Sequence, residues 1–195
     1  MAGDPAAHRR PPRHKHRDRH PAPAGKPHPR PTRTHPANPA RKRATMKISE
    51  YRQQKHPEHL IAYLEHIEWG AGKHLAELLR RGAFTATYGE SAELHIAEAD
   101  GKIIGFGAIT EQDYLPRPQL KPWISFLYID PKARGQRLSG KIIEHLEQRL
   151  RERGDNTVYL ATQHHGLYEK YGYTLQETTD EGIHDRDYLY HKKLP

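Results

Sequence analysis

The sequence predicts a mixed α/β sheet with flanking helices, and three observations carry that reading. From Met46 onward, segments with strand and helix periodicity alternate. The run Trp123-Ile124-Ser125-Phe126-Leu127-Tyr128-Ile129 is almost wholly apolar, as expected of a central strand covered on both faces. A glycine-containing loop then leads into a strong helical pattern and on to another apolar strand, which makes a strand–helix–strand crossover.

The 195-residue chain changes character at residue 45. Residues 1–45 carry 12 Lys+Arg against Asp4 and Asp18, a net +10, whereas residues 46–195 carry 20 basic against 22 acidic side chains, a net −2. The +8 charge of the protein therefore comes from its first segment, and a nucleic-acid partner is expected only there. That segment has ten prolines, six histidines and no Val, Ile, Leu, Phe, Trp or Tyr. With nothing to bury, residues 1–45 are expected to form a disordered basic tail before a folded domain of residues 46–195. The histidines lack the paired spacing of a metal site, and the segment has no apolar core for a signal peptide or apolar face for a transit helix. The absence of cysteine excludes disulfides, thiolate zinc sites and a cysteine nucleophile. No apolar run approaches the ~18 residues of a membrane span, so no membrane partner is expected and the location is read as cytoplasmic.

Within the folded segment, Lys47 to Tyr51 reads as a short strand. Pro57 suits the first turn of a helix on which Leu60, Ile61, Leu64 and Ile67 recur at helical spacing. Leu75, Leu78 and Leu79 continue on a second helix that stops at Gly82. Leu94 and Ile96 alternate with Glu93, His95 and Ala97, a half-buried strand, and Asp100-Gly101 signals a hairpin into a strand over 102–109. Pro116 and Pro118 mark a loop before the apolar run, which Asp130-Pro131 ends. Leu138, Ile142, Ile143, Leu146 and Leu150 then give a strong helix, with Glu147 four residues before Arg151 and Gly154-Asp155 closing it. A strand over 157–162, a short helix over 166–171 and a strand pair over 173–178 and 186–194 complete the chain.

The informative stretch is Ile129-Asp130-Pro131-Lys132-Ala133-Arg134-Gly135-Gln136-Arg137-Leu138-Ser139-Gly140. A tight loop between strand and helix aims backbone N–H groups and the positive end of a helix dipole at one point, which suits an anion. The loop lacks the G-K-[ST] of a magnesium-nucleotide site and the three glycines of a dinucleotide fingerprint. From the residues alone, it is either a phosphate site at a helix N-terminus or plain strand–loop–helix packing.

The same stretch resembles motif A of the GNAT superfamily of N-acetyltransferases, R/Q-x-x-G-x-G/A after a strand ending near proline. Arg134 takes the first place and Gly135 keeps the common R-G pair. Arg137 stands where glycine is usual and Ser139 where glycine or alanine is usual, while Gly140 offers a small residue one step late. Downstream, His164-His165-Gly166-Leu167-Tyr168-Glu169-Lys170-Tyr171-Gly172-Tyr173 is similar to the family's (L/F)-Y-x-K-x-G-F ending. The two motifs stand in the family's order, one helix and one strand apart, and with the upstream hairpin they extend the resemblance over nearly all of residues 46–195. The asparagine usual before the short helix is missing, and Gln163 or His165 is a candidate to replace its contact with the pantetheine arm.

The resemblance implies a mostly antiparallel sheet of about six to seven strands in which the fourth and fifth splay apart. It implies acetyl-CoA as co-substrate and no metal, with the acetyl group passing to an amine by direct attack in a ternary complex. The pyrophosphate falls to the backbone of Arg134, Gly135, Gln136, Arg137, Leu138, Ser139 and Gly140, and the pantetheine arm to Leu127, Tyr128 and Ile129. An arginine at 137 can add a charge-assisted pair to the pyrophosphate. Tyr168 matches the tyrosine that resembles a general acid toward the departing thiolate, with packing as the other reading. Glu111, Asp113, His164, His165 or a water chain could serve as base. The His184-Asp185-Arg186-Asp187 turn either lines the acceptor pocket or is a polar hairpin. The acceptor is expected to be a small-molecule or protein amine, and the chain a monomer or homodimer. Two rival readings remain: a non-catalytic acyl-CoA-binding module, motivated by Arg137 and Ser139, and a nucleic-acid-binding protein acting through the tail.

Because residues 1–45 supply no Val, Ile, Leu, Phe, Trp or Tyr to a core, a chain beginning at Met46 is expected to melt within a few degrees of the full chain. Loss of cooperative unfolding on truncation, followed by circular dichroism, contradicts this.

Overall fold

The computed structural model describes residues 45–195; the expected tail and its polyanion contacts lie outside the described residues, apart from Thr45. Seven strands run as β1 Lys47–Glu50, β2 Glu93–Ala99, β3 Lys102–Thr110, β4 Trp123–Ile129, β5 Thr157–Thr162, β6 Thr174–Thr179 and β7 Asp187–Lys193. They form one sheet in the order β1-β2-β3-β4-β5-β7-β6. Every neighbouring pair is antiparallel except β4 and β5. The helices are α1 Glu58–His66, α2 Gly70–Arg80, α3 Phe84–Tyr88 and α4 Leu138–Glu152. None of them is long and apolar enough to cross a membrane.

Local sequence accounts for most element ends. Pro57, with φ −61°, stands immediately before α1, where its missing N–H costs nothing. Asp100 and Gly101 both have positive φ, 51° and 70°, so the β2–β3 hairpin uses the turn whose twist suits its strands. The short α3 has no counterpart in the sequence reading. Thr85 and Thr87 are weak helix formers, and the burial of Phe84 against the core holds the turn.

Helices cover both faces of the sheet. Ile142, Ile143, Leu146 and Leu150 of α4 pack with Ala97, Ile109, Ile124, Val158 and Leu160. On the opposite face, Leu60, Leu64, Leu75 and Phe84 meet Leu94, Ile96, Phe106 and Ala108. This double cover corrects the half-buried reading of β2: His95 and Ala97 are buried as well, and His95 Nδ1 lies 3.0 Å from Nε2 of His145 on α4.

The sheet is least regular at its centre. β4 and β5 share one registered pair, Trp123 with Tyr159, backed by the Tyr159 N–H donating to the Pro122 carbonyl at 3.0 Å. On its other side β4 shifts register against β3 between Phe106 and Ala108, and Phe126 takes a φ of 53°. Two residues of β4, Phe126 and Leu127, thus stand opposite Gly107 alone, which is a β-bulge. The apolar run is buried only from Trp123 to Ser125; Phe126 to Ile129 are half-buried, because β5 no longer runs beside them.

One charge on α4 also differs from its sequence reading. Glu147 lies 3.4 Å from Arg151, as the spacing suggests, yet it is buried and its shortest bonds come from Lys192 of β7 at 2.8 and 2.7 Å. A buried carboxylate deprived of its main cation is costly. Lys192→Met is expected to destabilise the protein by roughly 3 kcal/mol, and the double variant with Glu147→Met by less. Equal losses in chemical denaturation would show that packing, not charge pairing, governs the site.

Candidate active site

Four groups of residues converge where β4 parts from β5. The first is the loop after β4. Asp130 ends the strand: its carboxylate accepts from the Lys132 N–H at 2.8 Å and from the Tyr63 hydroxyl of α1 at 2.8 Å. The Arg134 Nε then donates to the Ile129 carbonyl at 3.3 Å, folding the loop back over the strand end. Gly135 and Arg137 have φ of 81° and 56°, and α4 begins at Leu138 with no side-chain cap. Among the described residues, no backbone partner takes the N–H groups of Gly135 to Gly140, and Arg134 to Arg137 are solvent-exposed. Unpaired donors at a helix start form a site for phosphate.

The two departures from the usual glycine pattern have different outcomes. Arg137 adopts the left-handed conformation (φ 56°, ψ 30°) that a glycine takes freely, so the loop keeps its shape at some strain. Ser139 bonds to the Tyr171 hydroxyl at 2.9 Å. Gly140 faces the same ring, and a Cβ there would lie 2.8 Å from Tyr171 Cε1, so its small size serves this contact.

The second group is the open half of β4. Leu127 and Ile129 pack toward α4, while Phe126 and Tyr128 turn to the opposite face. There Trp69 stacks on Tyr128 at 5.3 Å, and Tyr88 meets Phe126 edge-on at 5.1 Å, forming an aromatic wall.

The third is Tyr168, in a 3-10 turn spanning Tyr168–Tyr171. It is 7% exposed and packs with Tyr171, Tyr173 and Tyr190 at ring distances of 6.4, 6.1 and 5.9 Å. Burial pushes its hydroxyl up to about 12, against the pull of the Thr162 hydroxyl and with a further push from Tyr171 and Tyr190. Tyr168 therefore stays protonated at neutral pH. The preceding connection is held by Thr162, which accepts from the His164 N–H at 3.1 Å, and by Tyr190, which accepts from the Gly166 N–H at 3.3 Å and donates to Glu169 at 2.8 Å.

The fourth is a polar cluster on the face of β4 opposite α4. Ser125 donates to Asp113, and the Thr110 and Ser125 hydroxyls are 2.8 Å apart. Asp187 accepts from the Tyr114 hydroxyl at 2.8 Å and lies 3.0 Å from His184 Nδ1. Among the other candidate bases, Glu111 turns away to cap Ser91, accepting from its N–H at 3.0 Å and its hydroxyl at 2.8 Å; these bonds hold its carboxyl below the usual range. Gln163, His164 and His165 are exposed, and His165 rests against Tyr188 at 5.0 Å. The polar environment of Asp113, Ser125 and Asp187 is assembled from residues far apart in sequence.

Known proteins share the fold of this chain. The family model described as "Acetyltransferase (GNAT) family" matches residues 51–173. No curated protein matches the sequence significantly. Among solved structures, the fold is similar to that of the aminoglycoside 6'-N-acetyltransferase from Enterococcus faecium (18% identity, TM-score 0.59, covering 76% of this chain and 97% of that one). It is also similar to the ribosomal-protein-S18-alanine N-acetyltransferase from Escherichia coli (17%, TM-score 0.54, 77% and 94%). A third is a GNAT family acetyltransferase from Elizabethkingia anophelis with acetyl-CoA bound (15%, TM-score 0.51, 76% and 98%).

The strain at Arg137 is measurable. Arg137→Gly is expected to raise the melting temperature by about 2–4 °C, equivalent to about 1 kcal/mol. An unchanged or lower midpoint would show that the arginine side chain makes contacts that offset its conformation.

Proposed function

The chain belongs to the GNAT acetyltransferase family, whose co-substrate is acetyl-CoA, and from that premise we propose that it transfers the acetyl group to an amine by direct attack in a ternary complex. The observation that carries the reading is the parting of β4 from β5 directly before a loop of unpaired N–H groups. Acetyl-CoA supplies an activated acyl thioester. The N–H groups of Gly135 to Gly140 hold the pyrophosphate, reinforced by the positive end of α4. The guanidinium of Arg137 adds charge beside it. The exposed backbone of Leu127, Tyr128 and Ile129 pairs with the pantetheine arm, much as an added strand would. At the bulge, a β4 N–H freed from the ladder stabilises the oxyanion that develops on the carbonyl.

Tyr168 is the general acid, protonating the sulfur as it leaves. Its burial supports this role because the hydroxyl keeps its proton throughout the neutral range. The acid is a modest aid, since a thiolate leaves readily with a pKa near ~8.5. Arg137 and Ser139 are no strong argument for a non-catalytic module, because Arg137 keeps the glycine-like conformation and Ser139 is bonded to the turn that carries Tyr168.

Free-thiol release from acetyl-CoA across a panel of amines tests the reading, with calorimetry for acetyl-CoA affinity. Tyr168→Phe is expected to lower kcat by roughly 10–100-fold with little change in affinity. Wild-type kcat with chemistry rate-limiting would exclude Tyr168 as the acid. Gly135→Pro is expected to weaken acetyl-CoA binding more than Arg134→Ala, and unchanged affinity in Gly135→Pro would place the pyrophosphate elsewhere.

A further inference from the structure

The transfer reading leaves the amine's proton without a destination, and the cluster opposite α4 supplies one. Asp113 follows β3, beside Ser125, the last residue of β4 before the bulge. Its oxygens accept from the Ser125 hydroxyl and from the Tyr114 N–H at 2.8 Å, bonds that fix the carboxylate while leaving lone pairs free. Protein atoms crowd it, yet the residue keeps part of its surface open, as a group that meets a substrate must.

A second carboxylate stands near it. Asp187 at the start of β7 is fully buried, and its Oδ2 finds no hydrogen-bond partner among the described residues. Two carboxylates within electrostatic reach of each other, with so little positive charge, are unfavourable unless a cation joins them. Arg117, in the same loop as Asp113, is engaged elsewhere, with Glu177 and Glu181. The remaining titratable groups facing the cluster are Tyr114 beside Asp113, Tyr88 from α3 and His184 from the β6–β7 hairpin. Tyr114 also connects the cluster to the proposed acid: burial pushes its hydroxyl upward, and Asp187, Asp113 and Tyr168 push it further, so these groups lie within electrostatic reach of one phenol.

Resting on the N-acetyl transfer reading, we propose that Asp113 is the catalytic base, and that the charge of the buried Asp187 favours an acceptor that arrives as a cationic amine. The amine nitrogen bonds to the acyl carbon as the carbon–sulfur bond breaks. The bound ammonium first gives one proton through Asp113 to solvent, which frees the nitrogen's lone pair; as the new bond forms, the nitrogen's second proton passes to the Asp113 carboxylate, and the sulfur takes the Tyr168 proton. Solvent then returns Asp113 and Tyr168 to their starting forms, so the step needs no further reactant. Crowding pushes the Asp113 carboxyl up to about 6, against the pull of Ser125 and the Tyr114 N–H and with a further push from Asp187. That value suits a base that must be ionised near neutrality and still hold a proton.

The experiment reads free-thiol release against pH, from about 5 to 9, with kanamycin, spermidine and a lysine-containing peptide as acceptors. The wild type is expected to lose kcat/KM on an acid limb near pH 6. Asp113→Asn, which keeps the shape and can still accept from Ser125, is expected to lower kcat by about 100-fold or more, to abolish that limb and to bind acetyl-CoA as tightly as the wild type. It should also melt higher at neutral pH: a carboxyl raised in the folded state weakens stability as pH rises through its folded value, and the asparagine removes that loss. Ser125→Ala removes a bond to the ionised form and should move the limb to higher pH, whereas Asp187→Asn removes a like charge and should move it lower. A kcat for Asp113→Asn within about 3-fold of wild type, or a limb unmoved in both flanking variants, overturns the assignment. Failure of the wild type to bind acetyl-CoA, or to acetylate any of the three amines while binding it, overturns the transfer reading and this assignment with it.

Discussion

The rest of the molecule depends on one interruption: β4 and β5 are hydrogen-bonded at Trp123 and Tyr159 and then part. In the middle of a sheet, backbone N–H and C=O groups that lose their ladder need other partners. The bulge at Phe126 loosens the same stretch from β3, so both sides of β4 are irregular over a few residues. Such an opening is stable only because its surroundings are rigid. α4 closes one face with Ile142, Ile143 and Leu146, and the aromatic wall of Trp69, Phe106 and Tyr128 closes the other.

The opening has two chemically different sides. Toward α4 lie the helix start, the exposed Arg134 and Arg137, and the hydroxyl-bearing turn of Tyr168 and Tyr171, an arrangement suited to an anion and a leaving sulfur. Across the sheet lie Asp113 and Asp187, suited to a cation. A sheet with helices on both faces can keep these two environments apart while a gap between strands joins them. In the proposed reaction, the two substrates approach the same point from opposite faces.

Several of the least comfortable residues stand near this point. Phe126 and Arg137 hold left-handed conformations, Asp113 carries a crowded carboxylate and Asp187 an unsatisfied oxygen. Each opposes folding by a small amount. Some polar groups away from the site are well matched, as with Glu147 and Lys192, or Glu93 between Arg149 and His95, while the buried Tyr173 hydroxyl and His191 Nδ1 lack a partner among the described residues. The large apolar cores on the two faces offset the unfavourable groups, which suits a scaffold that keeps a reactive site open.

The sequence alone determined most of the elements and the loop proposed to take the phosphate, because those signals are local. Helical spacing in α4, the Asp100-Gly101 turn, the apolar run of β4 and the Arg134-Gly135 loop each depend on residues within a few positions of one another. The half-exposure of Phe126 to Ile129, the insertion of β7 between β5 and β6, and the burial of Glu147 depend on where distant strands end, and periodicity carries no record of that. The acidic side was legible only as a set of candidates. Asp113 and Glu111 are equivalent in sequence, two residues apart after the same strand, and only the tertiary structure separates them. It turns Glu111 onto Ser91 and sets Asp113 beside Ser125 and within electrostatic reach of Asp187, because a side chain's proton affinity is decided by the neighbours that folding brings to it.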